Sequence, residues 1–313
     1  MMQQIPLTKL LAQADELFRS RKYEDARLLY LQILESPEAD STTGSDVEIR
    51  IEAMAQVARS YLILDEKEEG RNWLTRTAEV VDGEKQPSAW SRYLGVRGRF
   101  EWKDDDLARA TSTFKMMYEF CRENKLYERA VDAAHMVAIT APHEEQIFWA
   151  KRGIEAAEEG NMTGWLGPLW NNLGWSYDEM GEHDEALNAL LKAREFHYSG
   201  KRDIPKLVAD YSVGVQYRKL KNIEKALQWM KPAAEWADRL YAAEASVDHA
   251  EWVGWTHKEL GEIAVLEGDG NQAKREYGVA LEKLREAKMP DWDAEGFGKI
   301  EQKLADLGSV SGS

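Results

Sequence analysis

The stretch WNNLGWSYDEMGEHDEALNALLKA, residues 170–193, decides how the chain is read. Trp170, Leu173, Gly174 and Tyr177 stand at i, i+3, i+4 and i+7, which is one face of an α-helix. The His183-Asp184-Glu185 cluster opens a second helix, where carboxylates complement the positive end of the helix dipole. Ala186, Leu190 and Ala193 follow on its apolar side. Two closely packed helices need a small side chain where their axes approach, with bulk one turn away to fill the groove. Gly174 and Ala186 are such notches, so the segment predicts a helical hairpin.

The same arrangement recurs along the chain. Small residues stand at Ala26, Gly70, Ala110, Ala150, Ala186, Ala226 and Ala273, separated by 44, 40, 40, 36, 40 and 47 positions. Four residues after each comes a large one: Tyr30, Leu74, Phe114, Ile154, Leu190, Met230 and Tyr277. Twelve residues before each comes another small one: Ala14, Ala58, Gly98, Ala138, Gly174, Gly214 and Gly261. Composition alone would place Ala or Gly there roughly one time in six, so the pattern predicts stacked hairpins.

The run Trp170, Leu173, Gly174, Tyr177 and then Ala186 resembles the tetratricopeptide signature W-x2-L-G-x2-Y…A. The resemblance covers almost the whole chain, with Val213-Gly214…Tyr217…Ala226 and Leu260-Gly261…Gly268…Ala273 as the next best copies. It departs from the family in period, about 40 residues against the usual 34, as in long-repeat members similar to kinesin light chains and peptide-sensing bacterial regulators. The resemblance implies an all-α fold, a right-handed α–α superhelical solenoid of about seven hairpins with a C-terminal capping helix. The expected repeats are residues 7–36, 47–83, 88–123, 127–160, 167–199, 206–241 and 249–287, within a single domain 1–308. The capping helix is expected at 292–307 and a tail at 309–313. Residues 36–46 read as a loop of turn formers. Pro37, Pro87, Pro142, Pro168, Pro205 and Pro290 are expected between helices, where a missing N–H costs least. Pro232, inside a helical pattern, is expected to kink or end its helix.

Composition narrows the function. With 56 Asp+Glu against 41 Lys+Arg, the net charge of −15 opposes nucleic acid and anionic membrane, which need clustered cations. Cys121 is the single cysteine, which excludes an internal disulfide and a cysteine-based zinc site. No secretory signal or apolar run of membrane-spanning length is found, so a cytoplasmic location is expected. The six histidines lack H-E-x-x-H spacing, and Asp104-Asp105-Asp106 lacks the spaced ligands of a calcium loop. Phosphate-binding, dinucleotide-binding and nucleophile-elbow motifs are absent. The reading is a non-enzyme without cofactor or metal.

In tetratricopeptide stacks the first helix of each repeat lines the concave surface. Once Trp170, Leu173, Gly174 and Tyr177 are assigned to packing, the neighbouring stripe, about 100° away, is Asn171, Trp175 and Asp178. Carried to the other repeats, it gives Arg59, Arg99 and Trp102, His135, then Tyr211, Val215 and Arg218, and Lys258 and Glu262. The resemblance implies that these residues grip a peptide. The cations Arg59, Arg99, Arg218 and Lys258 favour a partner that is acidic or carries a free carboxylate. Trp165, Trp175 and Trp255 are further candidate contacts. The lysine–asparagine set of chaperone-tail binders is not assembled. The expected function is a scaffold or adaptor that binds a partner's peptide segment; the alternative is a regulatory sensor of a peptide or ligand that changes superhelical pitch.

Overall fold

The computed structural model describes residues 6–36 and 44–309, so Pro37, most of the expected loop and residues 310–313 of the expected tail lie outside the described residues. Among the described residues every regular element is a helix. Seven hairpins follow in order: α1 (Leu7–Arg19) with α2 (Tyr23–Glu35), α3 (Gly44–Ile63) with α4 (Lys67–Ala78), and α5 (Pro87–Lys103) with α6 (Leu107–Glu123). Next come α7 (Tyr127–Thr140) with α8 (His143–Glu159), and α9 (Thr163–Glu179) with α10 (His183–Ser199). The last two pairs are α11 (Asp203–Lys219) with α12 (Ile223–Ala243) and α13 (Val247–Glu267) with α14 (Gly270–Glu286). Short α15 (Met289–Trp292) and α16 (Ala294–Ser309) close the chain. The chain divides into two compact units, Met1–Trp165 and Leu166–Ser313. No helix among the described residues is long and apolar enough to cross a membrane.

One turn explains the register of the notches. In six hairpins the first helix ends at a left-handed residue: Arg21, Asp65, Asp105, Gly181, Lys221 or Gly268. The next residue donates its N–H five positions back, as Glu182 does to Tyr177 O at 2.9 Å, closing the helix with a 6→1 bond. Its own carbonyl then accepts from the small residue four positions on, Ala186 at 2.9 Å in this case. The turn therefore sets where each second-helix notch falls.

The bulky residues sit in the opposing notches. A Cβ placed on Gly174 would come 2.6 Å from Leu190 Cγ, and one on Gly98 would come 2.6 Å from Phe114 Cε1. Thirteen of the fourteen small positions are buried. The exception corrects the sequence reading of the fourth hairpin, where Ala138 is only partly buried. Pro142 cannot donate to the α7 ladder, and the link to α8 is the two residues Ala141 and Pro142, without a left-handed residue. The second-helix positions Ala150 and Ile154 are buried as expected, and one turn before Ala138 stands Ala134, which is fully buried. The fully buried alanine of α7 is thus Ala134, one turn from the expected Ala138, and the two alanines look alike in the sequence.

Pro142 stands between helices as expected, whereas Pro87, Pro205 and Pro290 fall in the first turns of α5, α11 and α15, where a missing N–H costs little, and two further prolines lie deeper. Pro168 lies inside α9, whose start at Thr163 precedes it, and Pro232 lies inside α12, which continues to Ala243. The capping helix begins at Ala294 rather than Trp292, because the Asp293 side chain accepts from Gly296 N at 2.8 Å. Phe297 and Ile300 of α16 cover Ala273, Tyr277 and Leu281.

Candidate functional site

In the first unit all four first helices, α1, α3, α5 and α7, contribute to one cavity of about 290 Å³. Asp15 and Phe18 come from α1, Gln56 and Arg59 from α3, Arg92 from α5, and Arg129 and Asp132 from α7. Trp165, the last residue of this unit, lines it too. The walls are an ion-pair network. Arg92 donates to both Asp15 oxygens, at 3.1 and 2.8 Å, and through Nε to Glu52 at 2.5 Å. Arg129 donates to the same Glu52 oxygen at 3.0 Å, and Arg99 to both oxygens of Asp132 at 2.7 and 3.0 Å. Tyr30 donates to Asp15 at 2.6 Å, and Gln56 Nε2 donates to the Tyr30 hydroxyl at 2.9 Å. This satisfies the rule that buried charges are paired and hydrogen-bonded.

The network tunes its members. Burial drives the Asp132 carboxyl upward, but the guanidinium groups of Arg99 and Arg59 override it and hold it at about 2. Asp15 is likewise lowered against burial, chiefly by Arg92. Arg59 goes the other way, to about 9, because burial removes solvent from its charge and Arg99 repels it. Burial also pushes the Cys121 thiol up to about 12, which makes it a poor nucleophile.

Of the sequence-predicted residues in this unit, Arg59 and Arg99 belong to the network. His135 is half-buried, its imidazole lowered by burial, and Trp102 is 39% exposed near the end of α5. Asp15, Glu52, Gln56, Arg92, Arg129 and Asp132 escaped the sequence reading. Their signal was a charged or amide residue within an otherwise apolar helical run, as Glu52 and Gln56 are between Ile49 and Ala58.

In the second unit Trp175 and Tyr211 pack against Val215, Met230 and Ile263, with Val215 itself in the core. The Tyr211 ring meets Trp252 edge-on at 5.6 Å, and burial, followed by Glu259, raises its hydroxyl well above the usual range. Arg218 pairs with Glu259 at 2.6 Å, and Lys258 pairs with Glu259 at 2.7 Å and Glu262 at 3.5 Å. Asp178 is buried between Lys219 and His183, at 2.5 and 3.1 Å. Asn171 Oδ1 is sealed from solvent without a hydrogen-bond donor among the described residues. Trp255 donates to Glu251 on its own helix at 3.2 Å. Three of the four expected stripe cations, Arg99, Arg218 and Lys258, are thus neutralised by carboxylates.

Known proteins show the same construction. Residues 167–195 match the tetratricopeptide repeat family profile. No curated protein matches the chain in sequence. Among solved structures, a signal-transduction ATPase with a tetratricopeptide repeat sensor from Pyrococcus horikoshii superposes with a TM-score of 0.69 at 16% identity. The alignment covers 95% of this chain and 43% of that one, so this chain spans less than half of that protein's length. A Rap protein complexed with competence and sporulation factor gives 0.54 at 14% identity, covering 97% and 88% of the two chains. The apo quorum sensor NprR from B. thuringiensis gives 0.54 at 13% identity, covering 96% and 87%. At such identities the likeness concerns the fold alone, and it agrees with the notched hairpins: the chain carries a tetratricopeptide repeat at residues 167–195 and folds as helical hairpins like those of tetratricopeptide-repeat proteins.

Proposed function

We propose that the chain is a peptide-binding scaffold whose recognition surface is the inner side of the first helices. The observation that carries this reading is the cavity to which α1, α3, α5 and α7 all contribute, an opening built by the repeat itself. Repeat stacks hold partners through such extended surfaces, and an extended peptide is gripped by aromatic anchors with polar neighbours. Trp102, His135 and Arg99 supply this in the first unit, and Trp175, Tyr211 and Asn171 in the second. Arg218, Lys258, Asp178 and Glu262 serve as the polar rim, and Val215 supports Trp175 from beneath. An acidic residue or free carboxylate of the peptide would meet Arg59, since Arg99, Arg218 and Lys258 already pair with carboxylates.

A second reading is favoured by two solved structures described as sensors and by a Rap protein complexed with competence and sporulation factor. In that reading peptide binding changes the pitch of the stack and signals to an output partner. A fluorescently labelled peptide array, read by anisotropy, tests both. Binders weakened at least tenfold by Trp102→Ala or Trp175→Ala support the groove; binders indifferent to both sink it. A bound-state change in scattering radius separates a sensor from a static adaptor.

A further inference from the structure

The interior of the first unit holds one more guanidinium than it has carboxylates to meet. Arg92 occupies both oxygens of Asp15 and shares Glu52 with Arg129, while Arg99 occupies both oxygens of Asp132. That leaves Arg59 as the fourth cation facing three anions. At the rim, Arg19 and Glu128 also line the cavity; both are exposed, and Arg19 pairs with Glu16 at 2.8 Å. Arg59 places its guanidinium carbon over the Phe18 ring, 4.8 Å from the ring centroid. Its Nε is sealed from solvent and has no hydrogen-bond partner among the described residues.

A second orphan lines the same cavity. Gln56 is 2% exposed, and its Oε1 accepts from nothing among the described residues. The amide's orientation is fixed, because Nε2 donates to Tyr30 and to Asp15 Oδ1 at 3.3 Å, and an ionised carboxylate only accepts. The walls of one cavity therefore include a planar cation with no ion pair of its own, although Asp132 acts on it, and an acceptor without a donor. A planar fork matches a carboxylate in bidentate fashion, and an amide N–H beside that carboxylate would satisfy Gln56. At about 290 Å³ the space lies at the lower end of ligand cavities, which start near 300 Å³. It suits one residue rather than a long segment.

We propose that this cavity is a carboxylate-binding subsite of the peptide groove, in which Arg59 receives the carboxylate of one peptide residue and Gln56 accepts that residue's N–H. The subsite rests on the peptide-binding reading and specifies its ligand chemistry. Burial and the neighbouring guanidinium groups hold Arg59 at about 9, the direction expected of a cation awaiting its counter-ion.

The carboxylate has two sources, a chain terminus or an acidic side chain, and the probes separate them. The Nε–Hε signal of Arg59, assigned from the Arg59→Lys spectrum, is followed by NMR during titration. The probes are acetyl-Gly-Ala with a free C-terminus, acetyl-Gly-Ala-amide, acetyl-Gly-Glu-Gly-amide and inorganic phosphate. The expected result is a saturable shift with the free-acid peptide, the glutamate peptide or both, and none with the neutral amide. The affinity should fall at least tenfold in Arg59→Gln and partially in Arg59→Lys and Gln56→Leu, in variants whose thermal midpoints are no lower than wild type. Equal shifts from the amide probe, no shift from either carboxylate, or a shift from phosphate alone would overturn the subsite. Peptides from the array that bind wild type and Arg59→Gln equally would remove the subsite and leave the groove standing. An array without binders, together with a carboxylate shift at Arg59, would do the reverse.

Discussion

In the first unit the first helices meet through one linked charge network, Asp15, Glu52, Arg92 and Arg129; in the second an apolar cluster of Trp175, Tyr211, Val215 and Ile263 is flanked by separate ion pairs, Lys219 with Asp178 and Arg218 with Glu259. Apart from the short link of the fourth hairpin, the hairpin and its turn are the same in both. An apolar cluster can lose contact area by degrees. A buried ion network cannot, because removing one member strands the others without solvent or partner. The same repeat thus yields one wall that is rigid in its chemistry and one that is tolerant.

Breaking the network should give the largest effect. Arg92→Met leaves Asp15 and Glu52 with a reduced set of partners, Arg129 on Glu52 and Tyr30 and Gln56 on Asp15. The expected loss is about 3–5 kcal/mol in urea unfolding. The matched change in the second unit, Arg218→Met, leaves Glu259 with Lys258 at 2.7 Å and should cost less, about 1.5–3 kcal/mol. Equal losses would erase the contrast between the two walls.

The notches offer the next test. In the fourth hairpin Ala134→Leu forces a large side chain into the closest approach and should cost about 1–3 kcal/mol. Ala138→Leu, one turn away and partly exposed, should stay within about 0.5 kcal/mol. The opposite order, by thermal or urea unfolding, would restore the register read from sequence.

That pair of alanines also shows what the sequence could convey. The fold class was legible because thirteen of fourteen small positions report a steric need that only Ala or Gly meets. The notch of α7 was not, because two alanines four apart satisfy the same pattern and burial alone distinguishes Ala134 from Ala138. The candidate site was half legible. Periodicity identified the helices that line the cavity and brought in Arg59 and Arg99. It could not show that Asp132 neutralises Arg99 while Arg59 goes unmatched, since pairing between helices 33 or more residues apart depends on side-chain reach. Val215, placed on the stripe by register, turned into the core because Met230 and Ile263 approach it.

A gentler way to set the two units apart is pH. Asp15 and Asp132 have folded values below their unfolded ones, so their stabilisation is complete above about 4 and disappears as pH falls through the folded range toward 2. His257 in the second unit is opposite in sign. Burial lowers it, but Glu276 at 2.5 Å and Asp238 raise it further, so its folded value exceeds the unfolded one. Its contribution is complete below about 6.5 and is lost as pH rises through the raised folded value. Hydrogen exchange should therefore show the first unit weakening in acid and α12–α14 weakening from neutral pH upward. Parallel pH profiles for the two units would contradict this assignment.

The smallest effect is expected from Gln216, a polar residue in the tolerant wall. It stands two positions after the Gly214 notch, where Phe100 and Ile263 stand relative to theirs, and those are core residues at 2% and 0% exposure. Gln216 is 0% exposed, and neither of its amide atoms has a hydrogen-bond partner among the described residues. Holding an unpaired amide in the interior costs about 1–3 kcal/mol, partly offset by its packing. Gln216→Met keeps the side chain's length and flexibility while removing the unmet donor and acceptor. The variant should gain about 1 kcal/mol in urea unfolding, with an unchanged denaturant slope. The same substitution at Gln56, which donates to Tyr30 and Asp15, should lose stability instead. A loss at both positions would show that buried amides play one role in the two walls, and a gain at both would remove Gln56 from the network.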